Sequence, residues 1–209
     1  MLHFEALPEA GLLQKNCNLQ SNSKATYTMF RAISKFMLKL FGWKVILEYS
    51  QLPDKYVFIA LPHTSNWDFP LGLLVRSALG LDIKYVGKDV LFRPPFGWLF
   101  RWLGGYPVDR SRRTNYVDSV VDIYDSKPQF AICIAPEGTR KKVSQLRTGF
   151  YYIALGAGAP IVMARLDWGR KEVRISQPFF PSGDKEADFS TMLQYFQGVK
   201  GKHPELGFM

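Results

Sequence analysis

Cysteine is almost missing from this sequence. Its 209 residues contain only Cys17 and Cys133, and there is no Cys-x-x-Cys. That argues against a disulfide framework or a cysteine-bound zinc site and fits a reducing compartment. Cys133 falls inside the apolar run from Phe130 to Ile134, so a small buried core residue is expected there. Long apolar runs are also missing. No stretch of about 18 residues is apolar and uncharged enough to cross a bilayer. The nearest, 90–108, contains Arg93, Pro94, Pro95, Arg101 and a glycine pair. The first 26 residues have no basic start followed by an apolar segment, so they do not read as a signal peptide. A disordered leader is expected there, with Met29 as an alternative start. A Gly-x-Ser-x-Gly nucleophile elbow is absent as well.

What is present is aromatic and basic. Aromatics make up 15% of the chain, and the formal net charge is +9. At 47% hydrophobic and 22% charged, the composition is that of a globular chain long enough for a buried core. The positive excess calls for an anionic partner: nucleic acid, lipid headgroups or a phosphorylated substrate. Charge alone does not choose among them.

Residues 27–47 hold Arg31, Lys35, Lys39 and Lys44 and no acid. On a helical wheel Arg31, Lys35 and Lys39 share one side. Met29, Phe30, Ile33, Phe36, Met37, Leu40 and Phe41 share the other. This predicts an amphipathic helix over 27–42, lying in a membrane interface or packed on the domain core. Further on, 43–49 and 55–61 read as strands about the turn Leu52-Pro53-Asp54. Residues 70–79 read as a helix with Pro70 in its first turn. Strands follow at 82–86, 130–135, 161–166 and 171–176, with helices at 114–126 and 147–156. The alternation predicts an α/β fold: a single domain over 27–209 with a mixed, mostly parallel sheet flanked by helices.

Four blocks carry chemistry. The first is the run from His63 to Asp68. Histidine titrates near neutrality and can take a hydroxyl proton, and a carboxylate on its other nitrogen fixes the tautomer. Five residues apart, the two would point about 140° away from each other on a helix. Pro70 disfavours helix at Phe69, so a strand-to-helix turn over 63–69 is expected, where the side chains can meet. The second block runs from Gly104 to Arg110, a glycine pair and then a loop presenting a guanidinium suited to phosphate. The third is Pro136-Glu137-Gly138-Thr139-Arg140. Gly138 allows close backbone approach to a ligand, and Lys141, Lys142 and Arg147 keep the region positive. The fourth, Gly158 to Val162, is a turn entering a strand.

In this order and spacing the blocks resemble the glycerolipid acyltransferase family, which includes lysophosphatidate and glycerol-3-phosphate acyltransferases. Its His-x4-Asp motif matches His63 and Asp68. Its Gly-rich stretch ending in Pro-Val-Asp-Arg matches Gly105 to Arg110. Its Pro-Glu-Gly-Thr-Arg matches Pro136 to Arg140, and its Pro before Ile-Val matches Pro160 to Val162. Ala135, Met163 and Pro62 depart from the residues usual beside these motifs. The resemblance implies acyl transfer from a thioester, on coenzyme A or acyl carrier protein, to the hydroxyl of a lysophospholipid-like acceptor such as 1-acylglycerol-3-phosphate. His63 would be the general base with Asp68 as its partner. Arg110, Glu137, Gly138, Thr139, Arg140 and Arg147 would bind substrate. No metal or cofactor is expected, and neither is nucleic acid. Membrane lipid is the expected partner surface, with the protein peripheral on the cytoplasmic face. The aromatic stretch 92–103 suits that surface, an acyl-chain lining or a core wall. The sequence is also compatible with two other classes: a non-catalytic lipid-binding protein, and a thioesterase or lipase.

Overall fold

The computed structural model describes residues 28–108 and 116–208. The expected leader at 1–26 and the loop bearing Arg110 lie outside these residues. Helix α1 occupies residues 28–40. It is followed by β1 (Lys44–Leu47), β2 (Lys55–Leu61), α2 (Asp68–Leu79), β3 (Ile83–Lys88), a 3-10 turn (Asp89–Phe92), α3 (Gly97–Trp102) and β4 (Gly105–Val108). Then come α4 (Tyr116–Asp125), β5 (Phe130–Ile134), α5 (Gly149–Gly156), β6 (Ile161–Asp167), β7 (Glu172–Ile175), α6 (Lys185–Phe196) and a 3-10 turn (Pro204–Leu206).

The strands form one seven-stranded sheet in the order β1-β7-β6-β2-β5-β3-β4. Every neighbouring pair is parallel except β6 with β7. The mixed, mostly parallel α/β sheet read from the sequence is therefore what the chain builds. β2 shows why both faces are covered. Its side chains alternate, as strand geometry requires. Val57, Ile59 and Leu61 enter one core with Val120, Tyr124, Ile153 and Phe196 of α4, α5 and α6. Tyr56 and Phe58 enter the other with Leu38 of α1 and Leu71 and Val75 of α2. A strand buried on both faces reads as a continuous apolar run, as β2 does. Cys133 packs against the second core, half-buried as a whole residue, with its thiol enclosed enough that burial pushes it up to about 12.

Three local differences from the sequence reading have clear causes. α2 starts at Asp68, two residues before Pro70, so Phe69 is helical. Pro70 is the third helical residue, where its missing N–H would have no intrahelical partner and its ring meets no earlier turn. α6 has no counterpart in the sequence reading. Its N-cap is Asp184, whose carboxylate accepts the Glu186 and Ala187 amides at 3.1 Å. The glycine pair is also explained by packing. Gly104 has a φ of 87°, and a β-carbon there would sit 2.4 Å from the Arg76 guanidinium.

α1 buries only a narrow strip, Ser34 and Leu38. Arg31 reaches across to the Leu79 carbonyl at the end of α2. Met29, Phe30, Ile33, Phe36 and Leu40 stay exposed. The ring of Phe30 lies edge-on to Trp102 of α3, with centroids 6.3 Å apart. Trp98 and Trp102 are 69% and 65% exposed, so the two helices present one continuous apolar face. Among the described residues, no helix is long and apolar enough to cross a membrane.

Candidate active site

The sheet order fixes where a site can form. β2 and β5 are adjacent and parallel. The chain leaves β2 through α2 toward β3 on one side, and leaves β5 through α5 toward β6 on the other. The two connections pass each other on opposite faces of the sheet, and their loops meet at the carboxyl ends of these strands, where α/β sheets favour ligand sites. The His63 loop follows β2, and the Glu137 loop follows β5.

The 62–67 turn folds Asp68 back onto His63, as expected. His63 Nδ1 lies 3.1 Å from Asp68 Oδ2. The same oxygen accepts the Ser65 amide at 2.8 Å, and Ser65 Oγ accepts the Trp67 amide at 3.2 Å. Asp68 is also the first residue of α2, where the helix dipole favours a negative charge. Its side chain is 1% exposed, against 23% for His63. Nδ1 is thus occupied by a buried carboxylate, while the imidazole remains reachable from solvent. That arrangement puts the ring proton on Nδ1 and leaves the Nε2 lone pair for an incoming group.

Asp68 has a third donor that the motif gives no hint of. Trp168 Nε1 donates to Asp68 Oδ1 at 2.7 Å, from just beyond β6. No local pattern could have flagged it, because the contact spans 100 residues. In the sequence Trp168 falls in the short connection between the strands at 161–166 and 171–176.

Glu137 is buried and turned toward the His63 loop. Its Oε2 accepts the His63 amide at 2.6 Å. Its Oε1 has no hydrogen-bond partner among the described residues. Burial pushes its carboxyl above the usual range, partly offset by the His63 amide, the nearby imidazole and the Phe208 amide. Glu137 therefore tethers the backbone of His63. It borders a pocket of about 270 Å³ shared with Leu61, Pro62, Lys200, Pro204 and Phe208.

Gly138 has a φ of 65°, and a β-carbon there would meet Arg147 Nε at 2.5 Å. The close approach that this glycine permits is by the Arg147 guanidinium. Arg147 N also donates to the Pro136 carbonyl at 2.8 Å, so the arginine is folded back over the motif from the end of its loop. Arg140 and Arg147 are both exposed, and Thr139 is half-buried, its hydroxyl accepting the Lys141 amide at 3.3 Å. The structure thus brings together His63, Asp68, Glu137, Gly138 and Arg147. Of the other expected substrate residues, Thr139 and Arg140 follow on the Glu137 loop, and Arg110 is outside the described residues. Among the described residues, no group of three or more His, Cys, Asp or Glu side chains could hold a metal ion.

The family model described as Acyltransferase matches residues 45–166. The 1-acyl-sn-glycerol-3-phosphate acyltransferase of Escherichia coli (strain K12) is 30% identical over 132 residues, covering 59% of this chain and 52% of that protein. The Saccharomyces cerevisiae protein of the same name is 30% identical over 145 residues, 66% of this chain and 46% of its own length. The chain thus spans about half the length of these curated relatives. The crystal structure of the 1-acyl-sn-glycerophosphate acyltransferase PlsC from Thermotoga maritima superposes with a TM-score of 0.54 at 16% identity, covering 84% of this chain and 78% of that one. At that identity the likeness speaks for the fold.

Proposed function

The chain belongs to the acyltransferase family, and on that premise we propose that it moves a fatty-acyl group from an acyl thioester to the hydroxyl of a lysophospholipid-like acceptor. The observation that carries this is the His63–Asp68 pair, a solvent-reachable imidazole backed by a buried carboxylate at 3.1 Å. The relatives' printed name makes 1-acylglycerol-3-phosphate the first acceptor to test. The donor is acyl-coenzyme A or acyl carrier protein.

The steps balance without a covalent enzyme intermediate, because a thioester is already activated. The acceptor oxygen attacks the thioester carbonyl carbon as His63 Nε2 takes its proton. The tetrahedral intermediate expels the thiolate, which recovers the proton from the imidazolium. An ester and a free thiol result. Asp68 holds the imidazolium in place while it exists. Arg147 and Arg140 supply guanidinium forks for the acceptor's phosphate, joined by Arg110.

Membrane docking completes the proposal. The outward faces of α1 and α3 carry exposed aromatic and aliphatic side chains beside Lys35 and Lys39. Such a face suits an anionic lipid surface, with rings at headgroup depth and ammonium groups on phosphates.

The test is product analysis with one radiolabelled acyl-coenzyme A and a panel of acceptors: lysophosphatidate, glycerol 3-phosphate, lysophosphatidylethanolamine and none. Label in phosphatidate is expected. Free fatty acid formed equally with and without acceptor would make the protein a thioesterase.

A further inference from the structure

The proposed mechanism uses Asp68 but does not say what holds its second oxygen. A carboxylate that pairs with histidine through one oxygen can rotate unless the other is fixed. Trp168 fixes it, with Nε1 to Oδ1 at 2.7 Å. The indole is itself held on several sides. Trp43 packs edge-on against it, with centroids 4.9 Å apart. The Lys202 ammonium lies 5.0 Å from its ring and 4.8 Å from that of Trp67, between the two indoles. The Trp168 amide donates to the Lys200 carbonyl at 2.8 Å. The same C-terminal segment reaches the catalytic loop directly, since the His203 amide donates to Thr64 Oγ1 at 3.2 Å. A β-carbon on Gly201 would sit 2.5 Å from that hydroxyl, so the segment lies flush on the loop.

We propose that Trp168 is a positioning residue for acyl transfer. Its indole N–H, clamped by the C-terminal segment from Lys200 to His203, sets the Asp68 carboxylate on the ring nitrogen of His63. The inference rests on the acyl-transfer reading above. It adds a fourth member to the chain acceptor–His63–Asp68 and gives the C-terminal segment a task in the site. The indole offers no acid-base chemistry. Its part is to deny the carboxylate its alternative orientations.

Two substitutions separate the N–H from the bulk. Trp168→Phe keeps a large ring and removes the donor. Trp168→His keeps a ring N–H at the equivalent position, since imidazole Nε2 replaces indole Nε1, and removes the benzo ring. A hydrogen bond to a charged group is worth roughly ten- to hundred-fold. Trp168→Phe is therefore expected to lower kcat by about that factor, with the acceptor KM within about two-fold of wild type. Trp168→His is expected to recover most of the loss.

The pH profile gives a readout that loss of packing would not move. Losing a donor leaves Asp68 more basic, so it holds the imidazolium more strongly. The acid limb of kcat/KM, which reports deprotonation of free-enzyme His63, is expected at higher pH in Trp168→Phe. Glu137, Lys200, Lys202, His203 and Arg147, the other charged or titratable groups around the pair, are unchanged in both variants.

Wild-type kcat in Trp168→Phe, equal losses in both variants, or an unmoved acid limb would each overturn the proposal. So would failure of Trp168→Phe to fold, judged by circular dichroism, because it would assign the residue to the core. His63→Ala run alongside keeps the two readings apart. If His63→Ala is inactive and Trp168→Phe is wild-type, only the positioning role fails. If His63→Ala is active, the underlying mechanism fails first.

Discussion

The loop after β2 and the loop after β5 leave neighbouring strands at the same edge of the sheet, yet treat their polar groups in opposite ways. In the first, Asp68 is buried and takes donors from His63, Ser65 and Trp168. In the second, beyond Glu137, Arg140 and Arg147 stand exposed. Each pattern fits the task proposed for it. A base must be oriented before substrate arrives, because misplacement by about 1 Å can cost a hundred-fold. A phosphate site can close on its ligand with mobile guanidinium side chains. Glu137 joins the two, rising from the second loop to hold the backbone of the first.

The comparison breaks first at the oriented loop. Asp68→Asn leaves the shape intact and removes the charge that stabilises the imidazolium. Steady-state assays are expected to show kcat lower by roughly 10³-fold with little change in acceptor KM. A change confined to KM would move Asp68 to substrate binding. The second loop should answer in the other parameter. Arg140→Ala, Arg147→Ala and Arg110→Ala are each expected to raise the KM for an anionic lysolipid about ten-fold, with kcat largely kept. Unchanged acceptor kinetics in all three would remove the phosphate role.

Away from both loops, Phe36→Ser combined with Trp102→Ser should weaken sedimentation with anionic liposomes several-fold. Activity on a short-chain soluble acceptor should hold. Equal liposome binding would place the contact elsewhere.

The smallest effect concerns the joint between the loops. Glu137 is a buried carboxyl with its affinity for protons raised, so folding favours its neutral form. The stability tied to that shift is present at acidic pH and is lost as pH rises through the folded-state value. Glu137→Gln stays neutral and can still accept the His63 amide. Its Tm minus that of wild type is therefore expected to grow by a few degrees between pH 4.5 and pH 8. A difference independent of pH would contradict the raised affinity.

Much of this contrast was legible in the sequence, and the limits follow from the chain's geometry. His63 and Asp68 could be paired because Pro70 marked a turn, a constraint acting within a few residues. The same proline placed the helix start two residues late, since a proline within a first turn does not reveal how many residues precede it. Gly138 could be read as a close-approach site, but its neighbour proved to be Arg147, nine residues on. Trp168 and the C-terminal segment were out of reach. Their contacts with Asp68 and Thr64 span 100 and 139 residues, and only the sheet order brings them together. α6 escaped because its signal is a cap at Asp184 and a sparse apolar stripe. The apolar side of α1 could be read as core-facing or outward, and the choice required knowing that the core accepts only Ser34 and Leu38 from it.

The most direct test of the account is single-turnover transfer of a labelled acyl group from acyl-coenzyme A to lysophosphatidate by wild type and His63→Ala, with both folds verified. Phosphatidate should form with wild type and slow by roughly 10²- to 10⁴-fold in the variant, the range for a lost general base. Transfer at the wild-type rate by His63→Ala would contradict the central claim that this imidazole deprotonates the acceptor.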